Sequence, residues 1–447
     1  MPMSRRAHHP PSRRGLVMPL VAAVALSTRL AAQPPALPSP LREDAAMARA
    51  RALLRAVGLV DTHNDLPWVI RLDPAHPGDL AARDLRVRGT GDTDLPRLRE
   101  GGVGTQFWSV YVPSDLPPMD AMRAQLEQID LARRLIARYP RDLGYAASVA
   151  DIRRVRASGR IASLLGIEGG HVLANSLGAL RAYYDLGVRY MTLTHFRSTD
   201  WADAATELPR HGGLTRFGRE VVREMNRLGM MVDISHVSPA AMSAALDVSE
   251  APVIFSHSSA RALTDHVRNV PDSILRRMAR NGGVVQVNFV TVFVSEPLRR
   301  WSEGLVPRLQ AATSDSAAER LVREWTALHG PLPRATLTDL ADHVEHIARV
   351  AGVDHVGIGA DFYGASGPMN VVEGMEDVAR YPALFAELIR RGWSDANLRK
   401  LAGGNLLRVF GEVERVAARL RREREPSLAT IEALDGPARR PAGPGAP

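Results

Sequence analysis

The 447-residue sequence predicts an α/β fold of the (β/α)8 TIM-barrel type, and three observations carry that prediction. Eight short apolar runs recur along the chain. Stretches rich in Ala, Leu, Arg and Glu separate them, as helices would. Most of the runs end in a histidine or a carboxylate. Strands that are apolar on both faces and alternate with helices form a parallel sheet covered on its outside, and eight such units close into a barrel rather than an open sheet. No Gly-x-Gly-x-x-Gly follows the first run, so a dinucleotide-binding fold has no support.

Taken in order, residues 1–32 read as an export signal. Arg5, Arg6, Arg13 and Arg14 precede the apolar segment 15–26, and small residues follow at Ala31 and Ala32. That segment is too short to span a bilayer, so the mature chain is expected to carry no integral membrane span and to be exported, periplasmic or secreted. Ser12-Arg13-Arg14-Gly15-Leu16-Val17 also resembles a twin-arginine signal, which exports proteins already folded. The formal charge of +8 owes much to this segment. Without its five arginines 52 basic residues face 49 acidic ones, which excludes a nucleic-acid partner. The absence of Cys excludes disulfides, thiolate zinc sites, a cysteine nucleophile and a bacterial lipid-anchored N-terminus.

Residues 33–43 form a Pro-rich linker, and 44–425 the barrel, entered by an Ala/Arg-rich helix over 43–57. The eight runs are 58–63, 103–112, 161–168, 188–195, 230–236, 252–257, 283–290 and 356–361. Between the seventh and eighth, 296–337 is longer than a connection needs and carries Trp301 and Trp325, which predicts a lid-like insertion. From Pro426 periodicity is lost, so 426–447 reads as a flexible C-terminal tail.

The polar residues at the run ends turn this fold into a chemical expectation. The first run ends at His63 with Asp65 two residues on, a spacing that puts both on one face of an extended strand. The third ends at Glu168, the fourth at His195, the fifth at His236, the sixth at His257 and the eighth at Asp361. In such a barrel those ends converge on the face where chemistry is done. Four imidazoles and three carboxylates suit zinc or another borderline divalent ion. The two oxygens of Glu168, in Gly166-Ile167-Glu168-Gly169-Gly170, can bridge two metals, with His63 and Asp65 completing one site and His236 and His257 the other. A water shared by two cations would then be a hydroxide nucleophile near neutral pH.

The stretches Val60-Asp61-Thr62-His63-Asn64-Asp65-Leu66-Pro67, Gly166-Ile167-Glu168-Gly169-Gly170-His171, Tyr190-Met191-Thr192-Leu193-Thr194-His195, Asp233-Ile234-Ser235-His236-Val237-Ser238, Ile254-Phe255-Ser256-His257-Ser258-Ser259-Ala260, Arg268-Asn269-Val270-Pro271-Asp272 and Gly359-Ala360-Asp361-Phe362 resemble, in that order, the membrane (renal-type) dipeptidase family of binuclear zinc peptidases. The resemblance covers roughly 57–410. It implies a metal-dependent hydrolase barrel with two Zn2+ per chain, held by His63, Asp65, Glu168, His236 and His257. It further implies His195 as oxyanion stabiliser, Arg268 on the substrate's terminal carboxylate, and Asp361 serving the bridging water and the free amine. The implied reaction is hydrolysis of dipeptides, including ones with a D-residue at the C-terminal position. The alternative is a binuclear amidohydrolase acting on N-acyl amino acids, lactams or phosphoesters. A homodimer is the expected assembly. One departure stands out: many members carry Tyr after the Asn-Phe of the seventh strand, where this chain has Val290 after Asn288-Phe289.

Other residues read as structural or auxiliary. His343 and His346 lack the His-Glu-x-x-His spacing and read as an outer helix face. His171 is read as orienting the bridging carboxylate or its loop, Asp61 and Asn64 as orienting ligands or capping turns, and the arginines of 415–424 as a solvated face.

Overall fold

The computed structural model describes residues 44–312, 314–364 and 371–436. The signal expected at 1–32 and the linker at 33–43 lie outside the described residues. Within them the parallel strands are β1 (Leu59–Asn64), β2 (Val103–Ser109), β3 (Leu143–Tyr145), β4 (Ile161–Glu168), β5 (Val188–Thr192), β6 (Met231–Asp233), β7 (Ile254–Phe255), β8 (Val284–Val287) and β9 (Val356–Ile358). Eight of them close the expected barrel: β1, β2, β4, β5, β6, β7, β8 and β9, with β9 returning to β1. β3 is additional. It pairs with the first residues of β4, on the edge whose later residues take β5.

The barrel interior follows from side-chain alternation. Ala162 and Leu164 of β4 point inward with Val60, Phe107, Tyr190, Met231, Ile254 and Val284, and this layer packs on Leu406, Val409, Phe410 and Val413. Those last residues belong to the helix Asn405–Glu423, whose apolar side therefore plugs the end of the barrel opposite the carboxyl ends of the strands. Gly166 and Glu168 continue the inward face of β4, which lifts the carboxylate to the top of the core. At the seam, Asp61 Oδ1 accepts from the backbone N–H of Ala360 at 2.9 Å, joining positions 299 residues apart.

The insertion forms the helices Thr291–Val294, Glu296–Glu303, Val306–Gln310 and Asp315–His329. It has a small core of its own, built from Trp301, Leu305, Leu309 and Ala318, and Trp325 Nε1 donates to the Trp301 carbonyl at 2.8 Å. Its first turn meets the barrel: Asn269 Nδ2 donates to the Phe293 carbonyl at 2.8 Å.

The flexible tail expected from Pro426 is corrected over its described part. Residues 426–436 fold back, with Arg181 Nη1 donating to the Ser427 carbonyl at 3.0 Å and the short helix Ile431–Asp435 following. The Asp435 carboxylate accepts from the backbone N–H of Arg216 and Phe217 at 3.0 and 3.2 Å. Those groups open the helix Arg216–Leu228 and have no partner within it, so a carboxylate there is stabilising. No helix among the described residues is long and apolar enough to cross a membrane.

Candidate active site

The residues singled out at the strand ends meet at one end of the barrel, and the backbone that delivers them is less regular than their spacing suggests. Between Asp61 and Asn64 β1 advances three residues while β2 advances only from Gln106 to Trp108. This bulge turns His63 toward the barrel axis, where its ring lies 4.0 Å from that of His257. Asp65 leaves the strand altogether. It is the N-cap residue of the helix Leu66–Arg71 yet makes no capping bond, and its Oδ1 is buried without a hydrogen-bond partner. Glu168 ends β4, whereas His195, His236, His257 and Asp361 all lie just past the ends of their strands. His236 and Asp361 sit in the left-handed region with φ of 65° and 64°. Non-glycine residues rarely adopt it, and such strain collects where side chains must be aimed.

Glu168 is the hub. Its Oε1 lies 2.9 Å from His236 Nε2, 3.3 Å from His257 Nε2 and 3.5 Å from His195 Nε2. Its Oε2 lies 3.5 Å from His63 Nε2. His63 Nε2 is in turn 3.6 Å from Asp65 Oδ2 and 3.8 Å from Asp361 Oδ1. Three overlapping donor groups result: His63, Glu168 and His257; Glu168, His195 and His236; and His63, Asp65 and Asp361. The two oxygens of one carboxylate thus face two imidazole sets, the arrangement a bridging ligand needs.

The electrostatics ask for cations at this spot. Although burial opposes a charge on His63, Tyr190, Glu168 and Asp65 hold its basicity well above the usual imidazole range. Burial pushes the Asp361 carboxyl well up, and Asp65 and Glu168 add repulsion that His63 only partly offsets. Three buried carboxylates around one imidazole are relieved by positive charge. The donor set is nitrogen and oxygen without thiolate, and His63 Nε2 and Asp65 Oδ1 are orphaned buried atoms, so the residues fit borderline divalent metal. Burial, helped by the Arg268 charge, outweighs the pull of Glu168 and brings His195 down to about 4, so its imidazole is neutral in the working range.

Arg268 lies beside the cluster, 1% exposed. Its Nη2 donates to the His257 carbonyl at 3.3 Å, while Nε and Nη1 have no partner. Burial lowers this guanidinium to about 10. Asn288 Nδ2 donates to Asp361 Oδ2 at 2.8 Å, and Phe293 stacks within 5.5 Å of the Arg268 guanidinium. Tyr111 and Phe196 flank the His195 ring at 4.9 and 4.2 Å, and Trp68 packs edge-on against Tyr111.

Spacing alone did not single out Tyr190, Ser256 or Asp233. Tyr190 donates to the Thr62 carbonyl and pairs with His63 Nδ1, and Ser256 donates to Asp233 and pairs with His257 Nδ1. Each stands inside a stretch that carries a predicted site residue, which is the only sequence signal they have. Gly166 belongs with them, because a Cβ there would run into the Tyr190 ring. Gly166→Ala is therefore expected to lose about 1–3 kcal/mol through overpacking, read as a lower urea midpoint. An unchanged midpoint would show that Tyr190 has room to move.

The remaining candidates resolve as follows. His343 and His346 are structural, but they face inward rather than outward: His343 Nδ1 accepts from the Ala260 N–H at 3.0 Å, and His346 Nε2 meets Asp272 at 2.8 Å. Burial against the helix Asp272–Asn281 and the 260–264 turn is the reason. His171 packs against Gly169, whose φ of 113° leaves no room for a side chain. Asp61 orients, tying Ala360, His63, Gln106 and Tyr381 together. Asn64 closes a turn on Leu66. Among the arginines of 415–424, Arg415, Arg419 and Arg424 are in exposed ion pairs.

Comparison with known proteins gives the family and the fold. The family model described as membrane dipeptidase (peptidase family M19) matches residues 47–424. Dipeptidase 3 of Mus musculus is 42% identical over 373 residues, 82% of this chain and 67% of that protein. The crystal structure of the probable dipeptidase PvdM from Pseudomonas aeruginosa superimposes with a TM-score of 0.71 at 26% identity, covering 83% of this chain and 99% of that one. A metallo peptidase from Rhodobacter sphaeroides, liganded with a phosphinate mimic of the dipeptide L-Ala-D-Ala, gives a TM-score of 0.65 at 26% identity over 80% of this chain and 99% of that one.

Proposed function

The chain belongs to the membrane dipeptidase family, peptidase family M19, a family of metallo-dipeptidases, and from that premise we propose an exported zinc dipeptidase that holds its substrate by both termini. Two zinc ions, one held by His63 and Asp65, the other by His236 and His257, with Glu168 shared, would supply an acidified water as nucleophile and polarise the scissile carbonyl. The protein's own groups do the rest. His195, neutral and buried, donates an N–H to the carbonyl oxygen as negative charge develops there. Asp361, steadied by Asn288, takes up the proton of the attacking water and faces the substrate ammonium. Arg268 receives the terminal carboxylate on its planar fork.

The observation that carries this reading is Arg268: a fully buried guanidinium with two unpartnered donors calls for an anion. A dipeptide presents a carboxylate and an ammonium within one short molecule, so gripping both measures length. The bound L-Ala-D-Ala mimic in the Rhodobacter sphaeroides relative supports extending the substrate class to a D-residue at the C-terminal position. Export is proposed on the 1–32 segment.

The test is a dipeptide panel with free, amidated and acetylated ends on zinc-reconstituted protein. Blocking either end strands a buried charge and is expected to cost roughly 2–4 kcal/mol in kcat/KM, about 30- to 1000-fold. Arg268→Ala should lose the discrimination between free and amidated C-termini. Equal discrimination by both enzymes would place carboxylate recognition elsewhere and reopen the N-acyl, lactam and phosphoester alternatives.

A further inference from the structure

Two hydrogen-bonded chains back the histidines on opposite sides of Glu168, and they end differently. Tyr190 Oη donates to the Thr62 carbonyl at 3.0 Å. Its proton committed there, the hydroxyl can only accept from His63 Nδ1, 2.9 Å away. His63 therefore keeps a hydrogen on Nδ1, and Nε2, which faces Glu168, is the nitrogen left to give up its proton to a metal. On the other side Ser256 Oγ donates to Asp233 Oδ2 and lies 2.8 Å from His257 Nδ1. The same logic puts the hydrogen of His257 on Nδ1 and leaves its Nε2 bare. Asp233 also accepts from the backbone N–H of Ser235 and Ser256, at 3.0 and 2.9 Å, and from Thr192 Oγ1. All of these groups are buried. His236, by contrast, has a buried Nδ1 with no partner, so no such chain backs it from behind, and its Nε2 lies 2.8 Å from His257 Nε2.

We infer that Tyr190 and the Ser256–Asp233 pair are positioning residues that fix the donor tautomers of His63 and His257 and make the two metal positions unequal. A ring whose far N–H leads to a carboxylate is a stronger donor than one whose N–H leads to a neutral carbonyl. The position served by His257 is accordingly the tighter and fills first. The position served by His63 fills second. This inference rests on the two-metal reading above and adds to it an order of filling and the residues that set that order.

The test uses zinc alone, titrated against a chromophoric chelator into metal-stripped full-length protein. The wild type is expected to fill two positions in separable steps. Ser256→Ala should loosen the tighter step by about 10- to 100-fold and leave the weaker one, and Tyr190→Phe should do the reverse. Ser256→Thr keeps a hydroxyl and should restore the tighter step. Ring-nitrogen chemical shifts of histidine-labelled, metal-free protein provide a second readout that packing alone would not move. His257 should lose its single-tautomer signature in Ser256→Ala and keep it in Tyr190→Phe. Both variants loosening the same step, or neither loosening any, would overturn the inference. Uptake of fewer than two ions by the wild type would refute the metal reading itself, before any variant is compared.

Discussion

Glu168→Gln is expected to reduce bound metal from two ions to fewer than one per chain and to cost on the order of 10⁴-fold in kcat/KM, as loss of one member of an interdependent constellation does. The carboxylate presents Oε1 to His195, His236 and His257 and Oε2 to His63. An amide keeps one acceptor and replaces the other with an NH2 group, which would aim hydrogens at one of the two imidazole sets. Both positions should weaken together, because the lost negative charge is shared by both. Although burial opposes its charge, the surrounding histidines hold Glu168 well below the usual carboxylate range, so the native side chain is ionised where the variant cannot be. Elemental analysis of the purified variant decides the matter, and full loading would remove the bridging role.

His195→Ala should leave the metal content intact and lower kcat by about 10²–10³-fold with little change in KM. The reason is timing. A neutral imidazole donor pays most when the carbonyl oxygen becomes an anion, and little before. The outcome also tests the division of labour within the donor group that His195 shares with Glu168 and His236. Loss of an ion in the variant would make His195 a ligand and remove it from the transition state.

The barrel was readable because each of its eight strands is an apolar run buried on both sides, and the helices between them have their own period. β3 was not, since Leu143-Gly144-Tyr145 is three residues long and has no pattern to offer. The site was readable by residue type: His63, Asp65, Glu168, His195, His236, His257 and Asp361 do meet. How they meet was not. The bulge before Asn64 and the left-handed backbone at His236 and Asp361 leave no mark in composition, because none of those positions is a glycine. Tyr190 and Asp233 were invisible for another reason. Their partners are set by neighbouring strands, and a tyrosine in a β-run reads as core. The same holds for the C-terminal segment, where Asp435 looks like any polar residue until the helix start 218 residues earlier is found beneath it.

The seam between β9 and β1 has a consequence for how the protein comes to life. The hydrogen bond from Ala360 to Asp61 needs both ends of the barrel, and so does the pairing of His63 with Asp361. While the ribosome is still making the last quarter of the chain, His63 and Asp65 have been waiting since its first sixth with no partner across the seam. Long-range parallel pairing of this kind forms late. Nascent chains halted before Val356 are expected to retain fewer than two zinc ions after gel filtration, and retention of two would contradict this. A metal held by these residues would then be taken up at full occupancy only once the seam has closed, and from the ions of whatever compartment it closes in.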